Sequence, residues 1–191
     1  MALLPPQEVL DELEEFLAPH RAAWPDLRWV RRELLHVTVA FLGEVNELGV
    51  ERLLPRLERV AGRCPPLRLS FAGAGAFPSG GAHARVLWTG LYGDRRTLAR
   101  LAASAAAAGR RVGSPSGEYK AFRSHLTLAR CRRPMDVRPL VEALSVFAGA
   151  PWTVTDLHLM RSHQIPRVRY EIVKTWSLTG HTPTRSSPDG D

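Results

Sequence analysis

Apolar residues recur along the chain at two spacings, and the places where the spacing changes predict the order of helices and strands. From Pro5 to His20 they fall three or four residues apart, as on one face of a helix that opens with proline. The same spacing predicts a helix after Asn46, in which Pro55 should produce a kink or reset the start. Two further helices are predicted from Asp94, a suitable N-cap, to Ala108 and from Asp136 to Phe147.

Segments rich in β-branched and aromatic residues predict strands between and after these helices. They are LRWV (27–30), LLHVTVAFL (34–42), LRLSFAG (67–73), ARVLWTGL (84–91), the segment around SHLTL (124–128), WTVTDLHLM (152–160) and RYEIVKTWSL (169–178). The glycine-rich stretch GAGAFPSGGAH (73–83) lacks the order of a phosphate-binding loop and is interpreted as a turn. Helix, strand, helix, strand, strand thus occurs twice in succession, which suggests two similar α+β lobes. We expect them to form a single domain, residues 1–180, followed by a disordered tail at 181–191.

A four-residue pattern of histidine, apolar, threonine and apolar occurs twice, at His36–Val39 and at His125–Leu128. Side chains alternate between the two faces of a strand, so the histidine and threonine of each tetrad share one face. The two apolar residues of each tetrad point the other way, into a core. Two copies, each inside a strand-like segment, are improbable by chance, and we expect the two strands to face each other across a cleft.

Two histidines that face each other suit a reaction in which one proton leaves an attacking oxygen and another reaches a leaving oxygen. Imidazole titrates at about pH 6.5, so near neutral pH one ring can be neutral while its partner is protonated. Thr38 and Thr127 can donate hydroxyl hydrogen bonds to the oxygens of a phosphate held between His36 and His125. The pattern therefore favours transfer at a phosphodiester, above all the opening of a strained 2′,3′-cyclic phosphate by water.

Other catalytic arrangements fit the sequence less well. A serine hydrolase would need a nucleophile elbow, and the chain has no GxSxG. A metal hydrolase would place carboxylates beside the histidines, yet the nearest acids, Glu33, Glu44 and Glu118, lie outside both tetrads. Cys64 and Cys131 are isolated, without a CxxC pair or a histidine at metal-ligand spacing, so we expect two free thiols and no zinc site. We expect no metal and no other cofactor.

Charge and composition narrow the choice of partners without identifying one. The net charge is +7, and only Lys120 and Lys174 among the 26 basic residues are lysines. Guanidinium groups bind phosphates well, which suits a polyanionic partner, although GC-rich coding also produces an excess of arginine. No apolar stretch is long enough to span a membrane, and the N-terminus lacks the basic-then-apolar order of a signal peptide. We expect a cytoplasmic monomer with no membrane partner.

The paired tetrads and their flanks make the chain resemble the two-histidine (2H) phosphoesterases, in particular the RNA 2′,3′-cyclic phosphodiesterases, also called 2′-5′ RNA ligases. The similar segments follow one another in family order from residue 2 to about residue 178. They are ALLPP (2–6), RWVRRELLHVTVAFLGEV (28–45), GAGAFPSGGAHARVLWTGL (73–91), FRSHLTLARCR (122–132) and RYEIVKTWSL (169–178). Relatives usually carry a longer first strand than Met1–Leu4 and a proline where this chain has Ser124.

The resemblance implies a bilobal α+β fold in which two pseudo-symmetric lobes, each an antiparallel sheet with flanking helices, enclose an active-site cleft. It implies metal-independent hydrolysis of an RNA 2′,3′-cyclic phosphate to a 2′-phosphate. In that reading, His36 and His125 form the catalytic pair, and Thr38 and Thr127 bind the phosphate. We assign His125 as the base that activates water and His36 as the acid that protonates the ribose 3′-oxygen, although the symmetry of the tetrads does not decide between them.

Arg130 matches an arginine that is common in this branch of the family. Five residues from His125, it would point away from the cleft unless the strand bends near Ala129, so substrate binding and a solvated surface position both stay open. Phe41 and Phe122 could stack on a base or pack in the core. Two alternative functions also stay open: 2′-5′ ligation of tRNA halves as the main reaction, and non-catalytic RNA binding.

Overall fold

The computed structural model describes residues 1–114 and 122–181, so Glu118 and all of the predicted tail except His181 lie outside the described residues. The helices are α1 (Gln7–Ala23), α2 (Glu47–Gly62), α3 (Arg95–Arg110) and α4 (Arg138–Leu144). The strands are β1 (Ala2–Leu3), β2 (Leu27–Trp29), β3 (Val37–Thr38), β4 (Leu67–Phe77), β5 (Ala84–Gly93), β6 (His125–Met135), β7 (Trp152–Val154), β8 (Asp156–His163) and β9 (Arg169–Ser177). Within residues 1–114 and 122–181, no helix combines the length and the hydropathy that a membrane crossing requires.

The nine strands of the described chain form one sheet, and every pairing in it is antiparallel. The order is β7-β4-β5-β6-β3-β1-β8-β9, and β2 also pairs with β6. The predicted α+β class with antiparallel pairing is confirmed. One lobe contains β7, β4, β5 and β6, and the other contains β3, β1, β8 and β9. The lobes therefore do not correspond to the two halves of the chain. Each lobe therefore contains the tetrad strand of the other half of the chain.

The apolar faces of the three long helices are buried in the same core as the inner face of the sheet. The buried helical residues include Val9, Leu10, Leu13 and Leu17 in α1, Leu53, Leu57 and Ala61 in α2, and Leu98, Leu101 and Ala105 in α3. Each buried leucine contributes about 1.5 to 3 kcal/mol to stability relative to an exposed one. This continuous core holds the two tetrad strands in a fixed relation to each other.

Local hydrogen bonds, rather than the apolar pattern alone, mark where α2 and α4 begin. The side-chain oxygen of Asn46 accepts a hydrogen bond from the backbone N–H of Gly49 at 2.8 Å, so α2 begins directly after Asn46 and continues through Pro55. The alternative in which Pro55 resets the start is therefore wrong. α4 is shorter than the predicted helix, because the carboxylate of Asp136 accepts from the backbone N–H of Arg138 at 3.0 Å and the helix begins only there.

Three strand predictions were wrong in extent. The segment 152–160, predicted as one strand, forms two, β7 and β8, which lie at different places in the sheet order. Only Val37 and Thr38 of the segment 34–42 are in a strand, because the residues before them form a 3₁₀ turn and Val39 N–H bonds to the carbonyl of Met1. In contrast, β4 continues through the first half of the glycine-rich stretch as far as Phe77. Glycine is needed there for packing rather than for a turn, since a Cβ at Gly75 would overlap the ring of Trp88.

Candidate active site

The two tetrads lie side by side at the junction of the lobes. Val37 of β3 pairs with Leu126 of β6, and both are buried. Because the pairing is antiparallel, this register places the histidine of each tetrad opposite the threonine of the other. All four polar side chains then point to the sheet face opposite the core. Val37 and Leu126 are each the second residue of their tetrad. The approximate twofold axis that relates the two tetrads therefore passes through this pair.

This register brings the two histidines to diagonal positions on neighbouring strands. Diagonal residues on neighbouring antiparallel strands are separated by about 7 to 8 Å. His36, His125, Thr38 and Thr127 all line one cavity of about 1100 Å³. A phosphate group placed between the strands would therefore be in reach of both imidazoles and both hydroxyls.

Both imidazoles are oriented in the same way by the backbone that precedes them. Nδ1 of His36 lies 2.8 Å from the carbonyl oxygen of Leu34, and Nδ1 of His125 lies 2.6 Å from that of Arg123. A carbonyl oxygen can only accept, so Nδ1 carries the hydrogen in each ring. The neutral form of each histidine then presents an unprotonated Nε2, and the protonated form presents a donor there.

The surroundings of His36 favour its neutral form. Its Nε2 lies 3.2 Å from the hydroxyl of Thr38, and the ring makes an edge-on contact with Tyr170 at 4.7 Å between centroids. Burial lowers the pKa of His36, the nearby charges of Arg130 and His125 act in the same direction, and the bond to the Leu34 carbonyl opposes them. These surroundings therefore favour the neutral imidazole of His36, whose Nε2 carries no hydrogen.

His125 is packed against aromatic side chains from β4 and β5. The rings of Phe77 and Trp88 meet it edge-on, with centroids 5.0 and 6.2 Å away. The guanidinium of Arg123 lies over the ring of Phe77 at 5.7 Å from its centroid. Tyr170, Phe77 and Trp88 were not predicted as site residues, because each occupies an ordinary strand position and only the strand pairing brings it to a histidine.

A β-bulge in β6 decides the direction of Arg130. Ala129 pairs with Leu87 while Thr127 pairs with Trp88, so Leu128 is an extra residue on β6. Leu128 and Ala129 are consequently both buried, and Arg130 returns to the face that carries the tetrad histidine. Arg130 lines the cavity. The odd separation from His125, which would otherwise point Arg130 away, is compensated by this bulge.

The two predicted aromatic residues are placed differently. Phe41 lines the cavity with 75% of its surface exposed, so its ring is open to a ligand. Phe122 is half-buried against the core and is not among the residues that line the cavity. The structure thus brings Phe41 into the site and leaves Phe122 outside it.

Metal-binding side chains do not gather in the described part of the chain. Within residues 1–114 and 122–181, no three His, Cys, Asp or Glu side chains are placed to hold one metal ion. Glu33 forms an exposed ion pair with Arg31 at 3.1 Å. Cys64 and Cys131 are free thiols, and burial raises the pKa of both, which disfavours the thiolate.

Comparison with known proteins identifies the family. The family model described as LigT-like phosphoesterase matches residues 3–88. A relative from Archaeoglobus fulgidus, named RNA 2′,3′-cyclic phosphodiesterase, is 35% identical over 139 residues, which are 72% of this chain and 76% of that protein. A relative of the same name from Thermus thermophilus is 30% identical over 188 residues, 94% of this chain and 89% of that protein.

Two solved structures extend the similarity to the whole fold. E. coli LigT complexed with 3′-AMP has a TM-score of 0.76 at 28% identity, over 93% of this chain and 95% of that chain. The protein TT0787 of Thermus thermophilus has a TM-score of 0.74 at 28% identity, over 95% of this chain and 97% of that chain. Sequence relatives and solved structures agree, and the protein is an enzyme that belongs to the LigT-like phosphoesterases of the 2H superfamily.

Proposed function

We propose that the enzyme hydrolyses terminal 2′,3′-cyclic phosphates of RNA to 2′-phosphates, without a metal ion, through its paired histidines. The observation that carries the proposal is the arrangement of the tetrads. Two imidazoles with the same backbone-fixed tautomer line one cavity together with two threonine hydroxyls. Two relatives named RNA 2′,3′-cyclic phosphodiesterase support the choice of substrate.

In the proposed reaction, the cyclic phosphate lies between the tetrads and accepts hydrogen bonds from Thr38 and Thr127. One neutral histidine takes a proton from water as the water oxygen bonds to phosphorus. The other histidine, protonated, gives its proton to the ribose 3′-oxygen as the bond from phosphorus to that oxygen breaks. General acid and general base catalysis each contribute about 10² to 10⁴ in rate. Arg130 adds positive charge at the edge of the phosphate site.

The lowered pKa of His36 bears on which histidine has which role. The sequence analysis assigned His125 as the base and His36 as the acid. A lowered pKa favours the neutral imidazole, and a neutral Nε2 accepts a proton rather than donating one. The environment of His36 therefore supports the reverse assignment, with His36 as the base and His125 as the acid.

The proposal is tested by incubating the protein with adenosine 2′,3′-cyclic phosphate in excess EDTA and identifying the product by ³¹P NMR. We expect adenosine 2′-phosphate. Replacement of His36 or His125 by alanine should lower kcat by at least about 10²-fold. His83→Ala is the matched control, because His83 is exposed and lies outside the cavity. Full activity in His36→Ala or His125→Ala, or activity that requires a metal, would refute the mechanism.

Ligation is a second candidate, because it uses the same groups with an RNA 5′-hydroxyl in place of water. The cavity extends from the tetrads to β2 and to the turn between β8 and β9, so it has room for more than one nucleotide. Turnover of tRNA halves is compared with turnover of the cyclic nucleotide in the same buffer. Faster joining than hydrolysis would favour ligation. RNA binding without turnover, unaffected by loss of either histidine, would favour a binding protein.

A further inference from the structure

Two arginines stand directly opposite each other beside the tetrads. Arg28 of β2 pairs with Arg130 of β6 in the antiparallel register. Both are exposed, and both line the same cavity as the histidines. Like charges at directly opposite positions on neighbouring strands repel each other and destabilise the pairing. A pair of this kind is stabilised when an anion lies between the two guanidinium groups.

No carboxylate of the described residues relieves this repulsion. Neither Arg28 nor Arg130 forms an ion pair within residues 1–114 and 122–181. Among the described residues, the cavity lining contains four arginines and no aspartate or glutamate. This local excess of positive charge is therefore open to an anion from outside the protein.

One of the two other cavity arginines, Arg31, makes a structural contact. Arg31 donates a hydrogen bond to the carbonyl of Val168 at 3.1 Å and pairs with Glu33, which ties β2 to the turn between β8 and β9. Arg28 makes no comparable contact among the described residues. The anion site is therefore assigned to Arg28 and Arg130, which are paired directly opposite each other, and not to Arg31. Arg167, the fourth cavity arginine, lies in the turn between β8 and β9 and is not part of this strand pair.

The position of the pair suggests which anion it binds. Arg130 is three residues beyond Thr127 on β6, about 10 Å along the strand or somewhat less because of the bulge. Resting on the proposed function, which places the terminal cyclic phosphate at the tetrads, we propose that Arg28 and Arg130 bind the phosphate on the 5′ side of the terminal nucleoside. The cavity would then select a nucleotide that carries this second phosphate over a bare nucleoside cyclic phosphate.

The test compares three substrates that share one 2′,3′-cyclic phosphate end: a nucleoside cyclic phosphate, the same nucleoside with a 5′-phosphate, and a dinucleotide. The measured quantity is the ratio of kcat/KM for the dinucleotide to that for the nucleoside. Arg28→Met should lower this ratio about 10-fold, the effect expected for loss of a hydrogen bond between charged groups. The slope of log(kcat/KM) against log salt for the dinucleotide should become shallower by about 0.7.

Arg96→Met is the matched control, because Arg96 is an exposed arginine of α3 outside the cavity, and it should leave the ratio unchanged. An unchanged ratio in Arg28→Met would overturn the phosphate site. If kcat/KM of the wild type is raised as much by a 5′-phosphate as by the second nucleotide of the dinucleotide, relative to the bare nucleoside, the arginine pair recognises any 5′-phosphate. If only the dinucleotide has the higher kcat/KM, the pair recognises the internucleotide linkage. Either gain supports the site.

Failure of the proposed reaction is distinguishable from failure of the phosphate site. If the wild-type protein hydrolyses none of the three substrates, the proposed function is wrong. In that case the affinity of a dinucleotide ending in a 2′-phosphate is measured directly, by calorimetry, for wild type and Arg28→Met. A loss of about 10-fold in affinity in the variant supports the phosphate site without any catalysis, and equal affinities overturn it.

Discussion

At the scale of single residues, the two histidines are related by symmetry in their backbone contacts but not in their surroundings. His36 is half-buried beside Tyr170 and near the charge of Arg130, whereas His125, also half-buried, is packed against Phe77 and Trp88. The identical hydrogen bonds to backbone carbonyls fix both tautomers. In the proposed mechanism, this difference in environment is what distinguishes the base from the acid, which the sequence pattern leaves equal.

This assignment predicts a selective rescue by a better leaving group. In a substrate with sulfur in place of the ribose 3′-oxygen, the leaving thiolate needs no proton, because a thiol has a pKa of about 8.5. If His125 is the acid, His125→Ala should recover most of wild-type activity on this substrate, while His36→Ala should stay at least about 10²-fold impaired. Both variants are assayed on the oxygen and sulfur substrates in parallel. Rescue of His36→Ala instead would restore the assignment made from the sequence.

The lowered pKa of His36 also predicts how stability depends on pH. The unfolded chain has a histidine pKa of about 6.5, and the folded value is lower, so below that pH the unfolded state binds more protons. His36 should therefore contribute a fall in the free energy of unfolding as the pH drops below about 6.5. In His36→Asn the fall between about pH 6.5 and 5 should be shallower, as measured by urea denaturation. It should not vanish, because burial lowers the pKa of His158 as well. An unchanged slope would contradict the burial of His36.

At the scale of the elements, the pairing of β2 with β6 carries a cost in stability. Arg28→Met removes one of two like charges at opposite positions and should raise the free energy of unfolding by about 0.2 to 1 kcal/mol at low salt. Salt screens exposed charges, so the gain should shrink at about 0.5 M salt. The control is Arg96→Met on α3, which removes the same charge from an exposed position outside the strand pair. A loss of stability in Arg28→Met would show that the two guanidinium groups do not repel each other.

The packing of β4 against β5 requires a residue without a side chain at position 75. A Cβ at Gly75 would overlap the ring of Trp88, which in turn contacts His125. Gly75→Ala should therefore destabilise the protein by about 1 to 3 kcal/mol and lower kcat by displacing His125. Gly62→Ala is the control, because the nearest atom to its added Cβ is 4.0 Å away and alanine is favourable in a helix. Thermal unfolding and turnover are measured for both; a neutral Gly75→Ala would show that Trp88 moves aside without effect.

At the scale of the whole molecule, the sequence predicts the elements and the tetrads better than it predicts their connections. The alternation in each tetrad correctly indicates that Val37 and Leu126 are buried, because it reflects the two faces of one strand. The bulge at Leu128, which turns Arg130 into the cavity, depends on the register with β5 and has no local signal. The exchange of tetrad strands between lobes is likewise a long-range pairing, so the apparent repeat in the chain suggested two sequential lobes.

This exchange predicts that neither half of the chain folds alone. A fragment of residues 1–114 lacks β6, which pairs with β2, β3 and β5, and also the partners of β1 and β4, β8 and β7. All five of its strands would therefore lose a partner, and the Val37–Leu126 contact would be absent. We expect this fragment to show no cooperative thermal transition by circular dichroism. Mixing it with the fragment of residues 115–191 should restore both the transition and hydrolysis of the cyclic phosphate, because the missing pairings form between the two chains. The matched comparison is the intact chain at the same concentration. Cooperative unfolding of the isolated first fragment would mean that its lobe is stable without the exchanged strand.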